Sequence, residues 1–474
     1  MKNITENIIL ISFYNQKALG LRYLENALTD AGYGVTVVYF KTFNSVNPKP
    51  ASPTELGHLQ SLISWTRPVA IGLSVMTSLY LETVELVSET IRENFKGIPI
   101  VWGGVYPTMF HEEIQKKYSD IVIRGEGEEA FVELAKNGFK PVATDQCGLV
   151  EDLDRYGVPA IGGGNKFTIE DDSIINADPQ LKSYSYEISC SRGCPFACSY
   201  CCSINLKRIY AGKGKYVRFR SVDNVISELK AAKATVKGLK FIRFWDEIFC
   251  DDGDWVDKFT LRYKEEIGLP FEIWGHPLKC EESLISKLRS AGLYKVVMGI
   301  QSGSPYIRKE IFNRPETQVQ IIKASQVLAK YKVPQVAYDF MLRHPFETVE
   351  TLMETYELCM NLAPPFELQL HGLNFLPGTD IVKKALDMKL VDPGRMDRLM
   401  YASMQDQYDM YWQNDNNNPD MNRIYKMIYL TQFQIFRNKI SQASPSKLDR
   451  MYRSGLYLAK LRYLYKRGVL VLGR

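Results

Sequence analysis

Two successive series of short apolar runs, each alternating with stretches of helical periodicity, constrain this chain more than any other feature. In the first 140 residues the runs are NIILISF, VTVVYF, VAIGLSVM, IPIVWGG and DIVIRGE, separated by helical stretches such as GLRYLENALTDAGY and YLETVELVSETIREN. Five β-like runs with helical crossovers predict a parallel, doubly wound α/β sheet that binds ligands beyond the carboxyl ends of its strands. From Tyr184 a second series begins: YSYEISCS, LKFIRFWDE, FEIWGH, KVVMGIQSG, VAYDFMLRH and FELQLHGLNFLPGT. Six strands with helices between them predict a partial (β/α)6 barrel over residues 184–380, with its chemistry at the strand ends. Residues 141–183, with Gly162, Gly163, Gly164 and the acids Glu170, Asp171 and Asp172, lack periodicity and read as a linker. After Gly378 the strand signal fades, and residues 381–474 read as a helical extension interrupted by the polar run from Gln413 to Asn418.

With 474 residues, 45% of them hydrophobic and 24% charged, the chain is long enough for two or three domains with cores of their own. A net charge of +5 is small for this length and makes no case for a nucleic-acid partner. The start, MKNITENIILISFYN, lacks a basic run followed by an apolar core, and no stretch approaches the length of a membrane span, so a cytoplasmic protein is expected. The tail interleaves Lys447, Arg450, Arg453, Lys460, Arg462, Lys466 and Arg467 with leucines and tyrosines. Two readings stay open for it: the solvated basic face of a packed helix, or a peripheral contact with an anionic membrane surface.

Nine cysteines are present, and five of them lie between Cys190 and Cys202, a density that suits a metal in a reducing compartment better than a disulfide scaffold. Cys194, Cys198 and Cys201 form C-x-x-x-C-x-x-C directly after a predicted strand. Three thiolates on one tight loop can hold three irons of a cubane cluster and leave the fourth iron open. Structural zinc wants four ligands in paired knuckles, and no second C-x-x-C or histidine pair follows; Cys190 or Cys202 as a fourth ligand keeps zinc or a closed electron-transfer cluster open.

Over residues 184–380 the sequence resembles the radical S-adenosylmethionine superfamily. That resemblance implies that the open iron of a four-iron, four-sulfur cluster binds S-adenosylmethionine, and that one-electron reduction splits it to a 5′-deoxyadenosyl radical. It assigns Tyr200, the aromatic before the last cysteine, to the surroundings of the adenine. FWDEIF resembles the acidic turn after the second barrel strand, which places Asp246 and Glu247 near the amino end of the cofactor or the substrate. GIQSGS resembles the ribose-contacting strand, with Gln301, uncharged, where most relatives have glutamate, and Ser302 after it. RHPFET, Arg343 to Thr348, stands where relatives have Gly-x-Pro-Gly-Glu-Thr, with Arg343 and Phe346 replacing both glycines.

The first 140 residues are similar to the flavodoxin-like (Rossmann-type) cobalamin domain that precedes the radical domain in one large subfamily. The similarity rests on KALGLRYLENALTDAGY, GLSVMTS, WGGVYPT and IRGEGEEAF in that order. It implies cobalamin contacts from Ser74 and Val75, from Gly103 and Gly104, whose lack of side chains lets backbone approach a flat macrocycle, and from Gly125, Glu126 and Gly127. No Asp-x-His-x-x-Gly string occurs, and His58 and His111 stand in other contexts, so a lower face without histidine is expected.

The resemblance implies a cobalamin-dependent radical methyltransferase acting on an unactivated carbon, or a phosphinate phosphorus, of a small-molecule or lipid substrate. An external electron donor of the flavodoxin or ferredoxin type would serve it. Ring-forming, oxidising and rearranging enzymes share this architecture. A cobalamin or iron-sulfur carrier or sensor is the non-enzymatic alternative. Methylthiolation of tRNA needs an extra cysteine trio upstream, where only Cys147 stands.

Overall fold

A computed structural model describes residues 6–44, 48–118, 120–140, 148–412 and 418–472; Cys147 and most of the polar run from Gln413 lie outside them. The five predicted strands of the first domain form as β1 (Asn7–Phe13), β2 (Gly34–Phe40), β3 (Ala70–Ser74), β4 (Ile100–Gly103) and β5 (Ile121–Val122). Helices α1 (Leu19–Asp30), α2 (Pro53–Thr66), α3 (Leu81–Asn94), α4 (Val105–Met109), α5 (His111–Tyr118) and α6 (Gly127–Lys136) connect or follow them. The run NIILISF forms a strand buried on both faces: Ile8 and Leu10 pack under α1 and α6, while Ile9 and Ile11 face the core beneath α2 and α3. β1 pairs in parallel with both β2 and β3, which makes their junction the switch point of a flavodoxin-like order.

The expected linker is corrected by the structure. Residues 141–183 supply β6 (Lys166–Glu170), parallel to β2, and β7 (Ser173–Asn176), antiparallel to β6, so the sheet runs β5-β4-β3-β1-β2-β6-β7. Lys166 is buried in that strand because its Nζ donates to Glu25 Oε1 of α1 at 2.7 Å.

The barrel follows. β8 (Ser185–Ile188) leads into the cysteine loop, where β9 (Ser191–Arg192) pairs antiparallel with β10 (Arg218–Phe219) across α7 (Cys202–Ile209). β11 (Phe241–Phe244), β12 (Phe271–Gly275), β13 (Leu293–Gln301), β14 (Gln335–Met341) and β15 (Glu367–His371) then form with β8 an open parallel sheet of six strands. Helices α8 (Val222–Thr235), α9 (Gly253–Arg262), α10 (Glu282–Ala291), α11 (Gln318–Lys330) and α12 (Val349–Asn361) cover its outer face. Alternation decides which side chains stay inside: Ile242, Ile273, Val296 and Val336 join the core under the helices, whereas Glu187, Arg243, Glu272 and Lys295 neighbour one another on the inner face.

The carboxyl-terminal helices are α13 (Asp380–Asp387), α14 (Pro393–Tyr401), α15 (Met404–Trp412), α16 (Pro419–Leu430), α17 (Gln434–Ile440) and α18 (Pro445–Leu472). They are continuous with the domains before them. Met421, Ile424, Ile428, Ile440 and Leu448 belong to the barrel core, and Met404 is buried in the first domain's core.

Candidate active site

At the carboxyl ends of β1, β3, β4 and β5 the first sheet opens on a cavity of about 420 Å³ whose opposite wall is the beginning of the barrel. Gly72, Ser74, Gly103 and Gly125 line the sheet side, and Tyr23, Leu24 and Phe131 add apolar walls from α1 and α6. Ser191, Arg192, Gly193, Tyr216, Trp245 and Glu247 close it from the barrel. Of the residues expected from sequence, Ser74, Gly103, Gly104, Gly125, Glu126, Gly127 and Glu247 all line this one space. Val75 does not; its side chain is buried in the first domain's core, and its amide donates to Gly103 O at 2.8 Å. Gly104 has φ +106°, and a Cβ there would stand 2.6 Å from the Val75 carbonyl oxygen, so the turn at the end of β4 admits glycine alone.

Glu126 is more than a polar turn. Arg218 Nη2 donates to its Oε1 at 2.6 Å, and Arg192 Nη1 stands 3.2 Å from its Oε2. Burial would push this carboxyl up; the Arg218 hydrogen bond and the Arg192 charge hold it below the ordinary glutamate value.

The cysteine loop is held mainly through its backbone. Ser199 N donates to Phe312 O at 3.0 Å, its Oγ donates to Ile311 O at 2.6 Å, and Asn313 Nδ2 donates to Ala197 O at 2.7 Å. Phe196 stacks on His276 with ring centroids 3.8 Å apart. Each of the three thiols has its own polar neighbour: the Phe196 amide for Cys194, Arg314 Nη1 at 3.8 Å for Cys198, and the Ser203 amide at 3.4 Å for Cys201. The three also lie close enough to bear on one another electrostatically. Burial pushes the Cys194 thiol up to about 12 and raises Cys198, a penalty that metal coordination removes because a ligating thiol is deprotonated outright. Among the described residues no three His, Cys, Asp or Glu side chains meet at a single-ion position. A cubane does not require that, since it seats each thiolate on a different iron. Cys190 is fully buried in the barrel core, apart from this trio, whereas Cys202 adjoins the Cys201 thiol.

The acidic pair divides. Asp246 turns inward, its Oδ1 accepting from Cys190 N at 2.9 Å and Ser191 Oγ at 2.5 Å, and burial lifts its carboxyl to about 6. It braces the strand that delivers the loop, and Glu247 alone faces the cavity. Tyr200 packs edge-on against Phe312, its hydroxyl accepting from Arg314 Nη1 at 2.9 Å. Gln301 ends β13 at φ +68° with its amide folded over Gly299, and the Ser302 hydroxyl is taken by the Ser304 amide at 3.1 Å. Arg343 adopts φ +61°, the backbone form that a glycine would favour, with its guanidinium 4.9 Å from the Tyr425 ring centroid and its amide donating to Glu347 Oε2 at 2.6 Å. The loop keeps the left-handed turn without the glycine because those contacts hold it.

Residues 188–359 match the radical SAM superfamily, and residues 9–135 match the B12 binding domain. The chain therefore carries a B12-binding domain followed by a radical SAM domain. An anaerobic magnesium-protoporphyrin IX monomethyl ester cyclase of Cereibacter sphaeroides is 25% identical over 323 residues, covering 61% of this chain and 49% of that one. An uncharacterized methyltransferase of Pyrococcus horikoshii is 27% identical over 311 residues, covering 62% and 64%. Among these curated relatives, the chain spans about half the length of the cyclase and under two thirds of the methyltransferase. The radical S-adenosylmethionine methyltransferase TsrM of Kitasatospora setae, solved with cobalamin and a four-iron, four-sulfur cluster bound, shares the fold at a TM-score of 0.60 and 15% identity, over 96% of this chain and all of that one.

The radical SAM domain implies a four-iron, four-sulfur cluster and S-adenosylmethionine as cofactors, and the B12-binding domain implies cobalamin. The residues present fit them. The thiol trio carries the N–H and cation neighbours that cluster thiolates accept, and the strand ends offer a glycine-lined floor on which a macrocycle can lie. Sequence reading missed Tyr23, Arg192, Arg218, Trp245, His276, Arg314 and Glu316. A polar residue such as Arg192 or Arg314 beside a motif is a weak signal, because its partner is known only once the chain has folded.

Proposed function

We propose that the chain is a cobalamin-dependent radical S-adenosylmethionine methyltransferase that acts on an unactivated carbon of a small-molecule or lipid substrate. The observation that carries this reading is the shared cavity, with the floor of the B12 domain on one wall and the cysteine loop's approach on the other. When bound, the cluster on the cysteine loop would supply the electron for reductive cleavage of S-adenosylmethionine, and cobalamin in the cavity would supply the methyl carrier. The protein's own part is to hold and orient. Cys194, Cys198 and Cys201 grip the cluster, with Tyr200, Glu247 and Gln301 on the S-adenosylmethionine side. Ser74, Gly103, Gly104, Gly125 and Gly127 cradle cobalamin. Trp245, tilted over Trp274 at 5.6 Å, and Tyr216 wall the space between.

The test is anaerobic turnover with methyl-deuterated S-adenosylmethionine and a low-potential flavodoxin or ferredoxin, followed by mass spectrometry of candidate substrates. A product heavier by the deuterated methyl group, with S-adenosylhomocysteine and 5′-deoxyadenosine, supports methylation. The cyclase relatives favour a second reading, radical chemistry without methyl transfer. Deoxyadenosine without S-adenosylhomocysteine would select it, and cofactor binding without any cleavage would select a carrier or sensor.

Among the described residues no helix is long and apolar enough to cross a membrane. The outer face of α18 exposes Arg453, Leu456, Tyr457, Lys460, Leu461 and Leu464 at helical spacing, which supports peripheral contact with an anionic lipid surface. Flotation with phosphatidylglycerol vesicles, with phosphatidylcholine vesicles as control, tests this; equal recovery in the unbound fraction from both would remove it.

A further inference from the structure

Behind the cysteine loop lies a buried polar chain that no motif announces. Arg314 follows β13 and is 5% exposed. Its Nε donates to Glu316 Oε1 at 2.5 Å, its Nη2 donates to Gly299 O at 2.7 Å, and its Nη1 donates to the Tyr200 hydroxyl at 2.9 Å. The same Nη1 stands 3.8 Å from Cys198 Sγ. Glu316 Oε2 has no hydrogen-bond partner, and His276 Nε2 stands 3.5 Å from it. His276 accepts the Leu278 amide on Nδ1 at 3.2 Å, which leaves the ring proton on Nε2, facing the carboxylate. Its other contact is the stack on Phe196, inside the cysteine loop itself.

This arrangement aims a fixed positive charge at one cluster thiolate and keeps the opposing carboxylate on the far side of the guanidinium. Such a charge, shielded from water, lowers the energy of whichever cluster state carries more negative charge, and that is the reduced one. We propose that Arg314 is a tuning and positioning residue that raises the reduction potential of the cluster through Cys198, with Glu316 and His276 holding its guanidinium in place. The proposal rests on the cluster-binding reading of Cys194, Cys198 and Cys201. It adds to that reading the part of the chain that decides how readily the electron arrives.

The full chain, reconstituted anaerobically and without S-adenosylmethionine, is titrated redox-wise while the reduced cluster is followed by electron paramagnetic resonance. Arg314→Gln is expected to lower the reduced-to-oxidised ratio at a fixed ambient potential about tenfold, equivalent to about 59 mV for a one-electron couple. Arg314→Lys should keep most of the parent ratio. Glu316→Gln removes the opposing charge and should shift the ratio the other way, up roughly threefold or about 28 mV, a direction that a loosened loop would not produce. If Arg314→Gln loads no cluster, Arg314→Lys and Glu316→Gln still decide the matter by their opposite predictions. Full cluster loading with an unmoved ratio in both charge variants overturns the proposal. So does an unmoved potential with weakened perturbation of the signal by added S-adenosylmethionine, since Arg314 would then act on the cofactor. A parent chain without any cluster signal would instead sink the functional reading on which the proposal rests.

Discussion

Arg192, two residues before the first cysteine of the loop, donates through Nη2 to Glu128 on α6 of the first domain at 2.5 Å. Directly opposite it across the β9–β10 pair stands Arg218, and both arginines share Glu126. Two like charges facing each other on adjacent strands would repel. The carboxylates of the B12 domain make that pairing stable, and so bind the loop to the wall of the cavity proposed for cobalamin.

Glu126→Gln removes the charge common to both arginines and leaves two partly buried cations short of a partner. Breaking such a pair costs about 3–5 kcal/mol when one partner alone is removed. Thermal unfolding of the cofactor-free chain should show a clear fall in Tm, and cobalamin affinity measured by equilibrium dialysis should fall with it. An unchanged Tm would mean that the domains are joined by other contacts.

Gly104→Ala forces a Cβ to within 2.6 Å of the Val75 carbonyl oxygen at a backbone angle that L-residues avoid. Relief of the clash must move the end of β4, which is part of the cavity floor. A loss of about 1–3 kcal/mol in stability is expected from strain of this kind, together with weaker cobalamin binding. Gly57→Ala, at a half-buried position of α2 with nothing within 4 Å of the added Cβ, is the matched control and should leave both unchanged or slightly improved.

Cys194→Ala, Cys198→Ala and Cys201→Ala should each abolish the cluster's visible absorbance and its stoichiometric iron. Cys190→Ala should keep both, because that sulfur is buried in the barrel core and not with the trio. Iron and sulfide analysis after anaerobic reconstitution decides it, and loss of iron from Cys190→Ala would reinstate a fourth protein ligand.

Asp339 on β14 is buried with no hydrogen bond to its Oδ1, and burial raises its carboxyl to about 7 against the modest opposing pull of Lys295. In the unfolded chain the group ionises near pH 4, so between about pH 4 and 7 the folded state binds more protons and loses stability as pH rises. Asp339→Asn removes that dependence. The variant should be close to the parent at about pH 4 and more stable at about pH 8, by about 2–4 kcal/mol, because holding a carboxyl protonated costs roughly 1.4 kcal/mol for each pH step across that window. Urea unfolding across that range measures it, and parallel profiles for the two chains would refute it.

Much of the architecture is legible without coordinates, and the exceptions have physical causes. Strands buried on both faces, such as β1 and β2, appear as nearly unbroken apolar runs, whereas barrel strands such as β11 and β12 are legible by apolar residues interleaved with the charged ones that face inward. β6 is hidden in the sequence because it begins at Lys166, a residue that reads as a connector until Glu25, 141 residues away, neutralises it. Asp246 and Glu247 are adjacent in sequence, yet the pleat of the chain sends one into a hydrogen-bonded brace and the other to the cavity.

The thiol spacing, the order of the glycine-bearing strand ends and the alternation of strand with helix are local properties, so the sequence alone determined the fold class, the cysteine loop and the cavity floor. Charged partners are different. Arg192 meets Glu128 across 64 residues and Arg314 meets Cys198 across 116, and a lone arginine carries no mark of the group that will face it. Only the folded chain, by removing those charges from water and setting each against its own partners, decided what they do.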